Sequence, residues 1–159
     1  MKRIILLAVA FLTAMALFVP FAPTDAVAFA AARPAPTPVD KPSYSAYKGV
    51  TIGMKTDEAR IKLGNPKEKS DEQDSFEFPN GESAQVYYDA THAVTAVMVT
   101  YTGKLDGAPT PRDIFGEDAA AKPDGGISKM VRYPKAGFWI SYNKIGGGEP
   151  MVIIALNKM

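Results

Sequence analysis

The chain has 159 residues, 47% of them hydrophobic and 22% charged, with 18 basic against 17 acidic side chains and no cysteine. That length suits one domain of ordinary size. A net charge near zero argues against a protein that tracks phosphate backbones, and the missing thiol excludes disulfides, thiol catalysis and lipid attachment through cysteine.

Met1-Lys2-Arg3 leads into an apolar run from Ile4 to Val19 and then the small-residue stretch Ala26-Val27-Ala28-Phe29-Ala30-Ala31. A basic start, a hydrophobic middle and an A-x-A exit are the layout of a secretory signal peptide. The rival reading is a retained anchor, but a run of about 16 residues is short for a spanning helix, and Pro20 and Pro23 follow at once. Residues 1–30 are therefore read as a signal peptide cut between Ala28 and Ala32. The expected product is exported, periplasmic or extracellular, with no stable membrane anchor after cleavage. Without Lys2, Arg3 and Asp25 its charges balance. Residues 31–46 hold Pro34, Pro36, Pro38 and Pro42 and read as an extended, proline-rich linker. A single α+β domain is expected over 47–157, with its first ordered residues near Tyr44 to Tyr47.

The stretch from Gly53 to Pro66 reads as a short helix with its own start and stop signals. Thr56 is the expected N-cap, Asp57 and Glu58 suit the positive end of the helix dipole, and Ala59 and Leu63 share one face that Met54 could extend. Gly64 suits a left-handed C′ position and Pro66 forbids continuation. Two turns of helix are not stable alone in water, so this one needs a sheet to lie on. Lys67 to Asp74 reads as a solvated polar loop; Asp71, Glu72 and Asp74 lack the ligand ladder and glycine of a calcium loop. Strand signals follow at Ser75–Phe78, Ala84–Tyr88 and Val94–Tyr101, with turns at Pro79-Asn80-Gly81 and Asp89–His92, which makes a three-stranded meander.

The second part repeats the plan. Thr110-Pro111-Arg112-Asp113-Ile114-Phe115-Gly116 carries an N-cap, a proline at the first helical position, a capping-box acid and a C′ glycine. Strands around Lys129–Tyr133, Phe138–Tyr142 and Met151–Leu156 come next. Phe78-Pro79 aligns with Tyr133-Pro134, Val86 with Ile140, Tyr88 with Tyr142, and VTAVMV with PMVIIA. Two tandem helix-plus-meander halves, 47–104 and 105–157, are expected, with the short helices packed on one face of an antiparallel sheet.

Gly53-Met54, Arg60, Leu63-Gly64 and Pro66, with a meander behind them, resemble the SmpA/BamE-like outer-membrane assembly lipoprotein family and the β-lactamase inhibitory protein (BLIP)-like repeats of the same architecture. The resemblance covers about 49–103 well and 108–157 loosely. A tandem pair on a chain without a lipobox cysteine looks closer to the inhibitor-like arrangement. What matches is the structural helix, so the resemblance transfers no functional residue.

Catalytic signals are sparse. His92, the single histidine, lies in a strand turn without a partner signal, Gly146-Gly147-Gly148 lacks the Lys-Ser/Thr of a phosphate loop, and Glu117 and Asp118 are loop acids that nothing positions. No catalytic residue, cofactor or metal is assigned. Strand alternation instead sets Val86, Tyr88, Phe138, Ile140 and Tyr142, with Val97, Val99, Val152, Ile154 and Leu156, on a face that should meet the helices. The opposite face carries Gln85, Tyr87, Trp139 and Ser141, with Met98 and Met151 nearby. Aromatic, methionine and polar side chains together are the composition of a protein-binding surface. The reading is an exported, non-catalytic module that docks another envelope or extracellular protein, not nucleic acid, through Trp139, Tyr87, Gln85, Ser141 and Met98. An outer-membrane assembly accessory and a secreted hydrolase with an unrecognised site are the alternatives.

Overall fold

The alternating burial of valine, isoleucine and tyrosine along the chain resolves into an antiparallel sheet. A computed structural model describes residues 41–159; the expected signal peptide and the linker through residue 40 lie outside the described residues. In chain order the elements are α1 (Thr56–Leu63), β1 (Glu68–Lys69), β2 (Gln73–Glu77), β3 (Glu82–Tyr88), β4 (Val94–Thr102), α2 (Pro111–Phe115), β5 (Ile127–Tyr133), β6 (Phe138–Ile145) and β7 (Met151–Lys158). The seven strands pair in the order β1-β2-β3-β4-β7-β6-β5. The last strand thus sits at the centre beside β4, where Val97 faces Leu156 and Val99 faces Ile154.

Two clusters of buried side chains form the core. The first gathers Ala59 and Leu63 of α1 with Phe76, Val86, Tyr88, Val97 and Val99, and Met54 packs against it. The second gathers Ile114 and Phe115 of α2 with Tyr133, Phe138, Ile140, Tyr142 and Leu156. Tyr44, Ile52 and Tyr101 touch both clusters. Tyr44 therefore belongs to the folded unit although it falls inside the stretch read as linker. Fully burying a side chain such as Ile140 or Leu156 contributes roughly 1.5–3 kcal/mol, so these clusters carry the burden that a cysteine-free chain cannot place on disulfides.

Four local expectations need correction. Thr56 is not the N-cap of α1: Lys55 holds that position without a side-chain cap, and the buried Thr56 donates from both its N–H and its hydroxyl to the His92 carbonyl, at 3.0 and 3.1 Å. The helix start is tied down by a tertiary bond instead of a local one. Gly64 has a positive φ of 89° but a ψ of −157°, outside the left-handed helical region, in a conformation that only glycine tolerates well. The stretch from Lys67 to Asp74 is not all solvated loop: Glu68 and Lys69 pair with Ser75 and Asp74 as a short edge strand, and the Asp74 side chain is fully buried. Finally, the alignment of VTAVMV with PMVIIA is out of phase. It sets Val97 and Val99, which are buried, against Ile153 and Ala155, which are half-buried, so the two segments differ in burial phase.

The start of α2 follows the local rules closely. Thr110 accepts from the Asp113 N–H, the Asp113 carboxylate accepts from the Thr110 N–H at 2.7 Å, and Gly116 closes the helix at φ 77°, ψ 0°. Here proline, capping box and glycine fall within seven residues, and no distant partner is needed.

Candidate functional site

Each strand turns alternate side chains away from the clusters, and the pairing registers line these side chains up in rows across the sheet. One row runs Ser75–Gln85–Met98–Ala155–Ser141–Met130. The next runs Gln73–Tyr87–Ala96–Asn157–Trp139–Arg132. All five residues singled out from the sequence, Trp139, Tyr87, Gln85, Ser141 and Met98, fall in these two neighbouring rows on one side of the sheet. Each is half-buried, with part of its surface in solvent. Met151 lies on the same side, facing Thr102 and Ile145 further along the strands.

Tyr87 and Trp139 are three strand steps apart, roughly 14 Å, with Ala96 and Asn157 between them. Tyr87 donates its hydroxyl to Gln85 Oε1 at 2.9 Å, which orients one ring along its own strand. A bulge in β4 lies opposite it: Tyr87 faces Ala96 while Tyr88 faces Val94, so Thr95 is unopposed. The extra residue lets Val94 and Val97 of β4 both enter the core, while the unbroken alternation of β3 buries Tyr88 and keeps Tyr87 outside. An open cleft of about 440 Å³ between Glu68, Glu72, Gln73 and Tyr87 continues this side toward the β1 edge. Among the twelve residues of the two rows the one charged side chain is Arg132.

Several residues that could do acid–base chemistry are engaged away from these rows. Asp74 lies on the core side of β2, where Arg60 and Tyr88 donate to it. Burial by itself would raise this carboxyl, but the hydrogen bonds from Arg60 and Tyr88 outweigh it and hold Asp74 below the usual carboxylate range. At the far end of β3, Glu82 Oε1 accepts from Tyr47 at 2.8 Å and from Tyr101 at 3.2 Å, and Oε2 accepts from Lys48 at 3.1 Å. Burial, and then the Glu82 carboxylate, raise the Tyr47 and Tyr101 phenols and push Tyr44 up to about 12. The paired loop acids diverge: Glu117 takes Lys129 and Asp118 takes Arg112. His92 is exposed at a left-handed φ of 57°, and its carbonyl receives Thr56. Gly146 serves packing, because a Cβ there would run into the Asp124 carbonyl.

Sequence reasoning missed Arg132, Met130 and Asn157, which share the rows of Trp139 and Ser141. Their membership depends on how β5 and β7 register against β6, and alternation within a single strand carries no such information. No family model, curated protein or solved structure matches the chain.

Proposed function

We propose that this protein is an exported, non-catalytic binding module that docks another envelope or extracellular protein on the open side of its sheet. Trp139 and Tyr87 are the anchors, with Gln85, Ser141 and Met98 between and beside them. One observation carries the reading: these five residues, separated by up to 56 positions in the chain, fall in two adjacent cross-strand rows. Aromatic rings, methionines and amides around an uncharged centre, with an arginine at the border, match the make-up of protein interfaces, where charges are depleted centrally and aromatics, Met and Arg are enriched. Engagement of Asp74, Glu117 and Asp118 by cations favours the non-catalytic reading. The module is taken as two related halves, 47–104 and 105–157, with both helices covering the side opposite the docking rows. The equivalent placing of the buried pairs Val86/Val97 and Ile140/Leu156 supports that view. So do the proline-led turns Pro79–Gly81 and Pro134–Ala136 ahead of β3 and β6.

The test is affinity capture from an envelope extract with wild type and Trp139→Ala, both first shown to be fully folded at the capture temperature. A partner captured by wild type and lost with Trp139→Ala is the expected result. Identical partner lists, or no partner at all, would sink the proposal.

A further inference from the structure

The two outer strands of the sheet are unlike. β1 is two residues long and both are charged, Glu68 and Lys69, a common way to protect an exposed edge. β5 runs seven residues. On its outer side the Lys122 N–H donates to the Gly126 carbonyl at 2.7 Å. Backbone groups alternate sides along an antiparallel strand, so the N–H and C=O groups of Met130 and Arg132 point the same way as those of Gly126, off the sheet and away from β6. Among the described residues no backbone hydrogen bond outside the sheet ladder reaches either of them. Met130 has 55% of its surface exposed. Arg132 is exposed and forms no ion pair among the described residues. Lys129, on the other face of β5, is already held by Glu117 and lies over the Phe115 ring.

We propose that β5 is a strand-addition site for an extended segment of the partner protein, with an acidic residue set against Arg132 and an apolar one against Met130. This rests on the open-face reading and deepens it. An added strand lengthens the two docking rows by one position beyond Arg132 and Met130, so its outward side chains lie two strands from Trp139 and Ser141. The unpaired guanidinium selects the acid, and the exposed thioether selects the apolar neighbour two residues away. Main-chain hydrogen bonds supply the hold and these two side chains supply the choice. A second copy of β5 fits less well. Antiparallel self-pairing about Met130 would set each Arg132 against Ser128 and leave two guanidiniums on one face without counter-charge.

The test is hydrogen exchange of the purified protein with the peptide acetyl-Thr-Val-Thr-Glu-Thr-Val-amide and with its counterpart carrying Lys in place of Glu. The expected result is slowed exchange at Met130 and Arg132 with the Glu peptide, at an affinity about tenfold above that of the Lys peptide. Arg132→Glu should reverse this preference, which a merely structural role for Arg132 would not do. Met130→Pro removes one outward N–H without touching the ladder to β6 and should abolish the effect at unchanged thermal stability. Equal affinity for the two peptides, no protection at saturating peptide, or protection of the same amides by a concentration-dependent dimer would overturn the proposal. Partner capture that is lost in Trp139→Ala but intact in Met130→Pro would leave the open-face reading standing and remove strand addition.

Discussion

Arg60 grips Asp74 through two parallel hydrogen bonds, Nε to Oδ2 at 2.7 Å and Nη2 to Oδ1 at 3.0 Å, and Tyr88 donates to the same Oδ2 at 2.7 Å. The carboxylate is fully buried and the guanidinium is mostly covered. A fork of this kind ties α1 to β2 and β3 with a directional contact that the small apolar stripe of Ala59 and Leu63 does not provide.

Removing one partner leaves the other buried and unpaired. Arg60→Met should lower unfolding stability by about 3 kcal/mol, in the range typical of broken buried ion pairs, as read from urea denaturation at neutral pH. The acid limb of stability is also predicted. Folding depresses the Asp74 pKa, so its contribution is complete above the ordinary carboxylate value of about 3.9 and is lost as pH falls through the lower folded value. Asp74→Asn should be less stable than wild type at pH 7 and should lose less stability between neutral and strongly acid pH. Parallel acid limbs would refute this role.

The tyrosines around Glu82 predict the opposite limb. Burial and then Glu82 push Tyr44 up to about 12 and raise Tyr47 and Tyr101 as well. Folding therefore favours the neutral phenols. The stability they contribute is present below the ordinary tyrosine value of about 10 and is lost as pH rises from there toward 12. A near-ultraviolet absorbance titration should show part of the phenolate signal delayed and arriving with unfolding. In Glu82→Gln that part should titrate earlier, because the negative charge that opposes phenolate formation is gone.

Trp139 and Ile140 are neighbours in sequence on opposite sides of β6, and their substitutions should differ in kind. Ile140→Ala empties a fully buried site and should cost about 2–5 kcal/mol. Trp139→Ala removes a half-buried ring from the open side and should cost less than about 1.5 kcal/mol, while abolishing partner capture. Comparable losses in thermal unfolding would mean that Trp139 is a packing residue.

Gly81 and Gly103 separate backbone strain from steric collision. Both have positive φ, 74° and 76°. A Cβ on Gly103 meets open space, whereas one on Gly81 would run into the Thr102 carbonyl oxygen. Gly103→Ala should cost about 1 kcal/mol from φ alone, and Gly81→Ala clearly more, because β4 or the Pro79–Gly81 turn must move. Guanidinium melts of the two variants, compared side by side, provide the check.

Much of the fold was legible from local signals. The three strands of the first meander, the two short helices and their stop residues could be placed because proline, glycine and period-2 alternation act within a few residues. The α2 start was readable to the atom, since Thr110, Pro111 and Asp113 cap their own helix. The α1 start was not. Its anchor is the His92 carbonyl, 36 residues away from Thr56, and no window around Thr56 contains it. Asp74 was misjudged for the same reason: an acid in a run of acids and lysines looks solvated unless Arg60 and Tyr88 are known to converge on it.

Residue type and alternation alone thus determined which side chains of each strand share a face, because the pleat gives every strand a period of two regardless of its neighbours. They assigned Trp139 and Ser141 to one side of β6 and Tyr87 and Gln85 to one side of β3. Only the tertiary structure decided that these become a single surface. The last strand enters the middle of the sheet beside β4, and the registers across β7 bring row to row. It also decided that Arg132 and Met130 stand at the border of that surface, with backbone groups that no hydrogen bond outside the sheet ladder reaches among the described residues. Strand order and register are set by contacts between segments far apart in the chain, where loop closure and packing choose among many pairings of equal local merit.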